Sequence, residues 1–525
     1  MEIVVTGPVE EAGLALLTDA GHDVRTVEAE GPADLASAAT EADALIVAGD
    51  VAVTAEVFER ASNLQIVGRA GIDVGTIDVS AATEHGVIVA NAPEETVRSV
   101  AEYVIGLLFA TARGIPQGHV KLKDGYWAKG DILGSELEGK TAGLVGFDDV
   151  GQEVGKRLDN LGVDLVVHAP AAADDRITRI GAESVDLETC LDRADFLSLH
   201  ASSEDVPRLG ESEFEMLGEG YVVNCGDPEL LEEAALADAV ADGVLRGAAL
   251  DAVATEPLAE DSPLRGVEDV IVTPGVAAST VGTAESVSTT IAREVLAAFD
   301  DGPVENAVNV PAIPPDEYPT IRPYADLAET AGRIAVQLFD GDIDGVEVTY
   351  AGEIATENVE PITASALAGV LDSLGLDANA VNARLVTDRE GIEVDVVTDH
   401  EAPDFRNLIT LTVRSDGTEL SVEGTQFANG DPRIVRIDEY RVEAVPHGYM
   451  LIVRNADAPG VIGYIGTVLG DHDVNIAGMF NSREAFGNEA LSVYNLDSRP
   501  TEDVLEALHD DERILETTVV ELNGF

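Results

Sequence analysis

Lysine, cysteine and tryptophan are scarce in this sequence, and long apolar runs are lacking. The five lysines are Lys121, Lys123, Lys129, Lys140 and Lys156. The two cysteines, Cys190 and Cys225, belong to no metal-ligand or redox motif, so we expect two reduced, buried thiols. No apolar run approaches the ~18 residues that a membrane span needs, and the opening MEIVVTGPVEEAG is typical of a strand, not of a signal peptide. We therefore expect a soluble, cytoplasmic protein.

Negative charge is the dominant feature of the composition. The chain has 99 acidic against 31 basic residues, a net charge of −68. Its 45% hydrophobic content indicates folded domains instead of a disordered chain. An acid-rich, lysine-poor composition resembles that of cytosolic proteins of extreme halophiles, where molar salt shortens the Debye length to about 3 Å. Such a surface argues against nucleic acid and anionic membranes as partners.

The order of predicted elements favours several α/β domains. A length of 525 residues predicts three or four domains. Short β-branched runs alternate with helix-like stretches, which indicates parallel sheets with crossover helices. The first series of strands is predicted at 2–6, 44–47, 65–68 and 87–90, and the second runs from 141–145 to 270–273. After a turn-rich stretch at 309–319 the pattern becomes mixed, and the segment from Tyr449 predicts a ferredoxin-like βαββαβ order.

Sequence blocks across the whole chain carry a family resemblance. In order, they are VGRAGIDVGTIDV, NAPEETVRSVAEYVIGLLFATARGIP, ELEGKTAGLVGFDDVG, VVNCG and GAALDAVATEP. These blocks resemble the D-2-hydroxyacid dehydrogenases. The stretch from RPYADLAETAGRIAVQL onward resembles the intervening domain of the long D-3-phosphoglycerate dehydrogenases, and MLIVRNADAPGVIGYIGTVLGDHDVNIAGM resembles their ACT domain.

The resemblance implies a fold, a domain order and an activity. It implies two Rossmann-like parallel-sheet domains, with the nucleotide-binding domain inserted in the substrate domain, followed by an α+β intervening domain and a ferredoxin-like ACT domain. The implied bounds are 1–98 with 283–312 (substrate binding), 99–282 (nucleotide binding), 313–447 (intervening) and 448–525 (ACT). The implied reaction is the NAD-dependent oxidation of 3-phosphoglycerate to 3-phosphohydroxypyruvate in serine biosynthesis.

The expected cofactor loop departs from the dinucleotide-binding pattern. Such a turn needs three glycines, of which the second lets the backbone approach the pyrophosphate. The loop GFDDVG keeps Gly146, Val150 and Gly151, but Asp148 stands at the second glycine. Ala169 stands where the resemblance places the acid that holds the ribose. A carboxylate ~4 Å from a phosphate charge is opposed by about 4 kcal/mol at an effective dielectric constant of 20. NAD should therefore bind poorly.

The catalytic set is reduced to one residue. Hydride transfer to or from a hydroxyacid needs a general acid/base and a cation that holds the substrate carboxylate. The resemblance implies Arg, His and Glu at positions where this chain has Asp227, Gly275 and Glu256. Loss of a general acid/base alone costs about 10² to 10⁴ in rate. Asp251 corresponds to a family residue that contacts the nicotinamide, although it can equally cap the following loop.

Other changes in the implied cleft remove cations or add anions. Ala48 stands at a family Arg position, and the loops AGIDVGT and NAPEETV contribute Asp73, Glu94 and Glu95. Several polar residues remain, but each has a structural alternative such as ending a strand or packing. These are Arg69, Asn91, Glu102, His200 and Asn224. His200 is the one histidine we can nominate as a substitute acid/base beside Glu256.

The tail keeps the residues that the resemblance assigns to serine. ACT domains of this family bind serine between paired domains, and Asn455, Asp457 and Asn475 match the binding positions. A carboxylate or amide can hold the ammonium group of serine, and an asparagine amide can donate to its carboxylate. The alternative is that these residues only shape an Asx-type turn. Pairing of these domains predicts a homo-oligomer, a dimer or a tetramer.

Two functions from different classes remain open on the sequence. The first is a dehydrogenase-like protein that has lost catalysis, binds no cofactor and acts as a serine-responsive regulatory or partner subunit, assembling with an active paralogue. The second is a working NAD-dependent D-3-phosphoglycerate dehydrogenase that acts on a small phosphorylated hydroxyacid.

Overall fold

The computed structural model describes most of the chain. The residues outside the description are 50, 72, 73, 171, 173, 204, 312, 315, 316, 403, 416, 428, 429, 484–488 and 523–525, together with the side chains of residues 94, 174 and 175. Among the described residues, no helix is both long and apolar enough to cross a membrane. The same residues contain no group of three His, Cys, Asp or Glu side chains arranged to hold a metal ion.

The first sheet is parallel and has the strand order β2-β1-β3-β4-β5. Its strands are β1 (Glu2–Thr6), β2 (Asp23–Val27), β3 (Ala44–Val47), β4 (Ile66–Arg69) and β5 (Ile88–Ala90). Its helices are α1 (Glu11–Asp19), α2 (Pro32–Ala38), α3 (Ala55–Arg60) and α4 (Val79–Glu84). The central β3, ALIV, is buried throughout, as expected for a parallel strand covered by helices on both faces.

The second sheet is also parallel, with the order β12-β11-β10-β9-β6-β7-β8. It follows the connecting helices α5 (Glu94–Arg113) and α6 (Ile115–Lys123). Its elements are β6 (Thr141–Val145), α7 (Asp149–Asn160), β7 (Asp164–His168), α8 (Asp174–Arg179), β8 (Glu183–Ser184), α9 (Leu187–Arg193), β9 (Phe196–Leu199), α10 (Glu211–Leu217), β10 (Tyr221–Asn224), α11 (Glu233–Ala241), β11 (Gly247–Leu250) and β12 (Val270–Val272). The strand order reverses between β6 and β9, and ligands of such sheets bind at the carboxyl ends of the strands at that point.

After the second sheet the chain returns to the first. Helix α12 (Val281–Phe299) buries Ile291 and Val295 in the core of the first sheet. The segment that follows pairs Ala307 with Ala90, and the Asn309 side chain accepts a hydrogen bond from the N–H of Val89. The first unit is therefore built from two separate parts of the chain.

The last third of the chain forms two further sheets. The third has the order β14-β13-β15-β16-β17-β18 and the fourth β20-β21-β19-β22. The third unit consists of α13 (Tyr318–Leu338), β13 (Gly345–Gly352), α14 (Glu360–Ser373), α15 (Ala383–Glu390), β14 (Glu393–Asp399), β15 (Asn407–Ser415), β16 (Thr418–Gln426), β17 (Pro432–Ile437) and β18 (Tyr440–Ala444). The fourth consists of β19 (Tyr449–Ala456), α16 (Val461–Asp471), β20 (Ile476–Arg483), β21 (Glu489–Leu496), α17 (Glu502–His509) and β22 (Ile514–Glu521). The βαββαβ order with β19 and β21 central is ferredoxin-like, and the predicted fold class is confirmed.

Candidate functional site

A cavity of about 510 Å³ lies at the carboxyl ends of β6, β7 and β9, where the order of the second sheet reverses. Three carboxylates line it, on Asp148, Asp205 and Asp227. Among the described residues of its lining, Arg176 is the one lysine or arginine. The cavity therefore presents an acidic surface at the place where this fold binds its ligands.

The glycine turn after β6 has a structural reason of its own. Gly146 has φ +91°, and a Cβ there would lie 2.2 Å from the backbone carbonyl of His200. A Cβ on Gly151 would lie 3.0 Å from the Cβ of His200. Both glycines let the turn pass close to the end of β9, so their retention does not require a bound nucleotide.

Asp148 caps the N-terminus of α7. Its Oδ1 accepts a hydrogen bond of 2.7 Å from the N–H of Gly151. Burial raises the pKa of the Asp148 carboxyl, the Gly151 N–H counteracts this, and the neighbouring charge of Asp149 raises it further. The N–H groups at this helix terminus are the ones that hold a pyrophosphate in a dinucleotide-binding fold. In this chain the Asp148 carboxylate accepts from one of them, the Gly151 N–H, and a pyrophosphate would have to replace it there.

The end of β7 lacks an acid, and a cation lies nearby. Ala169 directly follows β7 and lines the cavity. Arg176 on α8 also lines the cavity. Arg176 forms an ion pair of 3.2 Å with Asp149 beside the glycine turn. Arg176 was not predicted from the sequence, because its place in the cavity depends on how α8 packs and no spacing rule points to it.

Asp227 is built into the loop after β10. Its Oδ2 accepts from the N–H of Ser203 at 2.8 Å and its Oδ1 from the N–H of Glu229 at 2.8 Å. The Asn224 side chain donates to the Asp227 carbonyl oxygen at 2.8 Å. Burial acts to raise the pKa of Asp227, but the hydrogen bonds from Ser203 and Glu229 outweigh it and lower the pKa. Asp227 is therefore a fixed anion where a substrate-binding cation is expected.

Glu256 and Gly275 lie side by side. A Cβ built on Gly275 would be 3.7 Å from Glu256 Oε1, so the retained carboxylate borders the position at which the sequence resemblance implies His. Gly275 has φ +66°, in the left-handed region that most side chains avoid. The loop thus has a backbone suited to glycine.

Asp251 holds the loop that contains Gly275. It is 3% exposed. Its Oδ1 accepts from the Thr273 hydroxyl at 2.5 Å and the Val276 N–H at 3.0 Å, and its Oδ2 accepts from the Ala277 N–H at 2.7 Å. These bonds satisfy both oxygens and support the loop-capping alternative for this residue.

His200 is a neutral, buried side chain. Its Nε2 lies 2.8 Å from the Ser198 hydroxyl, and burial lowers its pKa to about 4. His200 lines the cavity, whereas Glu256 is exposed and lies outside that lining. The structure therefore gives no support to a His200–Glu256 acid/base pair.

Similar proteins place the chain in a family. Residues 105–277 match the family model for the NAD binding domain of D-isomer specific 2-hydroxyacid dehydrogenases. Residues 320–438 match the model for the D-3-phosphoglycerate dehydrogenase intervening domain. The D-3-phosphoglycerate dehydrogenase of Archaeoglobus fulgidus is 36% identical over 528 residues, which cover 99% of this chain and 100% of the relative. This chain belongs to the D-3-phosphoglycerate dehydrogenase family.

A second relative agrees with that membership, and a solved structure has a similar fold. The D-3-phosphoglycerate dehydrogenase of Methanocaldococcus jannaschii is 35% identical over 527 residues, 99% of this chain and 100% of the relative. The crystal structure of the TT0316 protein from Thermus thermophilus is 27% identical with a TM-score of 0.53, and it covers 59% of this chain and 100% of its own. The family's NAD binding domain model spans the acidic cavity.

In the fourth sheet, the residues that the resemblance assigns to serine already have partners. Asn455 is buried; its Nδ2 donates to the Ala456 carbonyl at 2.9 Å, and its Oδ1 accepts from the Ser492 hydroxyl at 3.1 Å. Asp457 forms a 3.0 Å ion pair with Arg483. Asn455 therefore supports the strands, while Asp457 lies at the turn before α16.

Asn475 lies at the other end of the same sheet. Its Nδ2 donates to Asp497 at 2.6 Å. Asn455 pairs with Ala490, whereas Ile476, next to Asn475, pairs with Leu496. Six residues along a strand correspond to about 20 Å. A single chain therefore does not bring Asn455 and Asn475 together.

Some of the remaining predicted residues make structural contacts, and others lie outside the residues that the structure describes. Asp73 and the Glu94 side chain lie outside the description, and Ala48 is buried. Glu95 accepts a 2.8 Å hydrogen bond from Thr290 and borders a separate cavity. Arg69 donates a 3.3 Å hydrogen bond to the Val47 carbonyl, and Glu102 forms a 3.6 Å ion pair with Arg157. Cys190 is buried as predicted, whereas Cys225 is half-buried; both are free, and burial raises the pKa of both thiols to about 12.

Proposed function

We propose that this chain is a D-3-phosphoglycerate dehydrogenase family protein that has lost hydride transfer and serves as a serine-responsive regulatory or partner subunit. The observation that carries the proposal is Asp227. Its carboxylate is fixed by two backbone N–H groups at the position of the family's substrate-binding arginine. A fixed anion there repels the carboxylate of a hydroxyacid, and no step of the family's reaction accounts for it.

The chemistry of the cavity supports the proposal. A phosphorylated hydroxyacid carries a carboxylate and a phosphate. In the cavity, both groups would face the carboxylates of Asp148, Asp205 and Asp227, which repel them. Two like unit charges ~4 Å apart repel each other by about 4 kcal/mol at an effective dielectric constant of 20. Arg176 is the one arginine in the described lining, and its ion pair with Asp149 offsets its charge.

Serine binding would fall to the fourth sheet, paired with the same sheet of another subunit. The Asp457 carboxylate can accept from the ammonium group of serine, and the Asn475 amide of another subunit can donate to its carboxylate. The ~20 Å separation within one chain is the reason that two subunits are required. The partner subunit would be a second copy of this chain or an active relative with the same tail.

Calorimetry with L-serine in molar KCl tests the regulatory half of the proposal. The full chain should bind serine, and Asp457→Ala should weaken the binding about tenfold or more, since a hydrogen bond to a charged group contributes about 1.5–3 kcal/mol. Asp503→Ala, at an exposed site on α17, is the matched control and should bind as the unmodified chain does. The proposal would be contradicted if the chain did not bind serine and no dehydrogenase partner co-purified with it.

An active NAD-dependent enzyme is the second candidate. It is favoured by the similarity over the full length of the Archaeoglobus fulgidus dehydrogenase. Glu256, beside Gly275, is the residue that such an enzyme would still have to use. This candidate predicts that turnover depends on Glu256.

A further inference from the structure

The third and fourth sheets share one hydrophobic core. From the fourth sheet, Met450, Ile452 and Leu491 join the core of the third unit. Gln337 of α13 closes the junction with two hydrogen bonds to the backbone of Glu521, one at 3.2 Å to its carbonyl and one at 2.9 Å from its N–H. The two units are thus packed as a continuous body along this seam.

A cavity of about 310 Å³ opens along the seam. Its floor is apolar and includes the half-buried side chains of Leu338, Phe339 and Leu420. Its rim carries the carboxylates of both units, on Asp340, Glu419, Asp438, Glu439, Glu489 and Glu516. The lining therefore combines an apolar patch with charged groups, the pattern of a site for a small amphipathic ligand.

Arg454 is the one arginine or lysine among the described residues of this lining. Its guanidinium lies 3.3 Å from Glu489 and 3.3 Å from Glu516, and its side chain is 47% exposed. Neither contact has hydrogen-bond geometry. Arg414, by contrast, also lies between two acids but donates a 2.6 Å hydrogen bond to Asp395. Arg454 is therefore held by two ion pairs, and an anion reaches its guanidinium only by taking the place of one of these carboxylates.

We propose that this seam cavity binds an α-amino acid with an apolar side chain. The ligand carboxylate would take the place of Glu489 or Glu516 on the guanidinium of Arg454, which suits bidentate recognition. Its ammonium group would pair with Glu489 or Glu516, and its side chain would cover the floor of Leu338, Phe339 and Leu420. The lining of the seam cavity includes none of the serine positions Asn455, Asp457 and Asn475, and the proposal holds whether or not the chain transfers hydride.

The position of the site gives binding a regulatory consequence. Leu420 and Phe339 belong to the third unit, whereas Arg454 and Glu516 belong to the fourth. A ligand that contacts both units stabilises their present arrangement, and a coupling between two sites is reciprocal. An apolar amino acid should therefore change the affinity of the fourth sheet for serine.

Calorimetry on the full chain with L-leucine as the probe, in molar KCl, tests this site. L-leucine should bind the unmodified chain and Arg414→Gln alike. Arg454→Gln should weaken binding by about tenfold to a hundredfold, the loss expected for a charge-assisted hydrogen-bonded pair. Circular dichroism and gel filtration would establish that both variants are folded. Equal binding by Arg454→Gln, or no binding of millimolar leucine by the unmodified chain, would overturn the proposal.

Two analogues of leucine separate an amino-acid site from simple attraction to acids. 3-Methylbutylamine keeps the ammonium group and 4-methylpentanoate keeps the carboxylate, and each should bind at least about tenfold more weakly than leucine. If the amine bound as well as leucine, the acidic rim alone would explain binding and the proposed site would be rejected. Leucine affinity that falls without limit as L-serine is raised would place both ligands in one site and would overturn the proposal, whereas coupling between two sites changes the affinity only up to a plateau.

Discussion

The purified chain should reduce 3-phosphohydroxypyruvate with NADH at least about 10⁴-fold more slowly than a family member that retains the arginine and the histidine. Loss of the general acid/base costs about 10² to 10⁴, and the fixed Asp227 carboxylate adds repulsion to an anionic substrate. The measurement is the initial rate of NADH oxidation in molar KCl. A family member that keeps the arginine and the histidine is assayed in parallel. A rate within about tenfold of that enzyme would favour the active alternative instead.

Glu256 provides the control for that assay. Any residual rate should be unchanged in Glu256→Gln, because the partner that this carboxylate would orient is replaced by Gly275. Glu260→Gln, at an exposed site in the same segment, is the matched variant. A selective loss of rate in Glu256→Gln would show that Glu256 takes part in turnover.

Replacement of Asp251 by Ala should cause the largest loss of stability in the nucleotide-binding region. The change removes three hydrogen bonds to a nearly fully buried carboxylate and leaves the N–H groups of Val276 and Ala277 without partners. We expect a loss of about 3–5 kcal/mol. In a unit of this size, each 1 kcal/mol lowers the melting temperature by about 2–4 °C. Thermal unfolding followed by circular dichroism measures the effect.

The exposed Asp261 is the matched control for Asp251. Asp261→Ala lies in the same segment and should leave the melting temperature within about 1–2 °C, as surface substitutions usually do. Amide hydrogen exchange should quicken at Val276 and Ala277 in Asp251→Ala alone. Unchanged stability and exchange in that variant would mean that Asp251 is kept for contact with a ligand and not for the loop.

Most strands of the parallel sheets could be predicted from the sequence because they are short β-branched runs separated by helices; the largely exposed edge strands β2 and β8 were not predicted. Strands such as Tyr221–Asn224 are buried on both faces, so apolar residues mark them without ambiguity. Strand β14 (Glu393–Asp399) was not predicted. It carries three acids, lies at a sheet edge and is exposed at most positions, so burial leaves no periodic pattern in it.

The candidate site was predictable in some of its residues, but neither Arg176 nor the contacts within the site could be predicted. The positions of Asp148 and Asp227 followed from aligned motifs, and an Asp directly before a helix is a known capping pattern. That Ser203 would donate to Asp227 depends on how the loops after β9 and β10 approach each other, which sequence spacing does not determine. The seam cavity around Arg454 had no sequence pattern at all, because residues far apart in the sequence form it where two sheets meet.

The central claim, that the acidic loop no longer accepts a dinucleotide, is tested most directly by calorimetric titration of NADH into the full chain in molar KCl. The account predicts no binding at millimolar NADH, because Asp148 occupies the helix terminus that a pyrophosphate needs and Ala169 offers the ribose no acceptor. Asp148→Gly combined with Ala169→Asp should bind measurably. Micromolar binding of NADH by the unmodified chain would contradict the account and would favour an active NAD-dependent dehydrogenase.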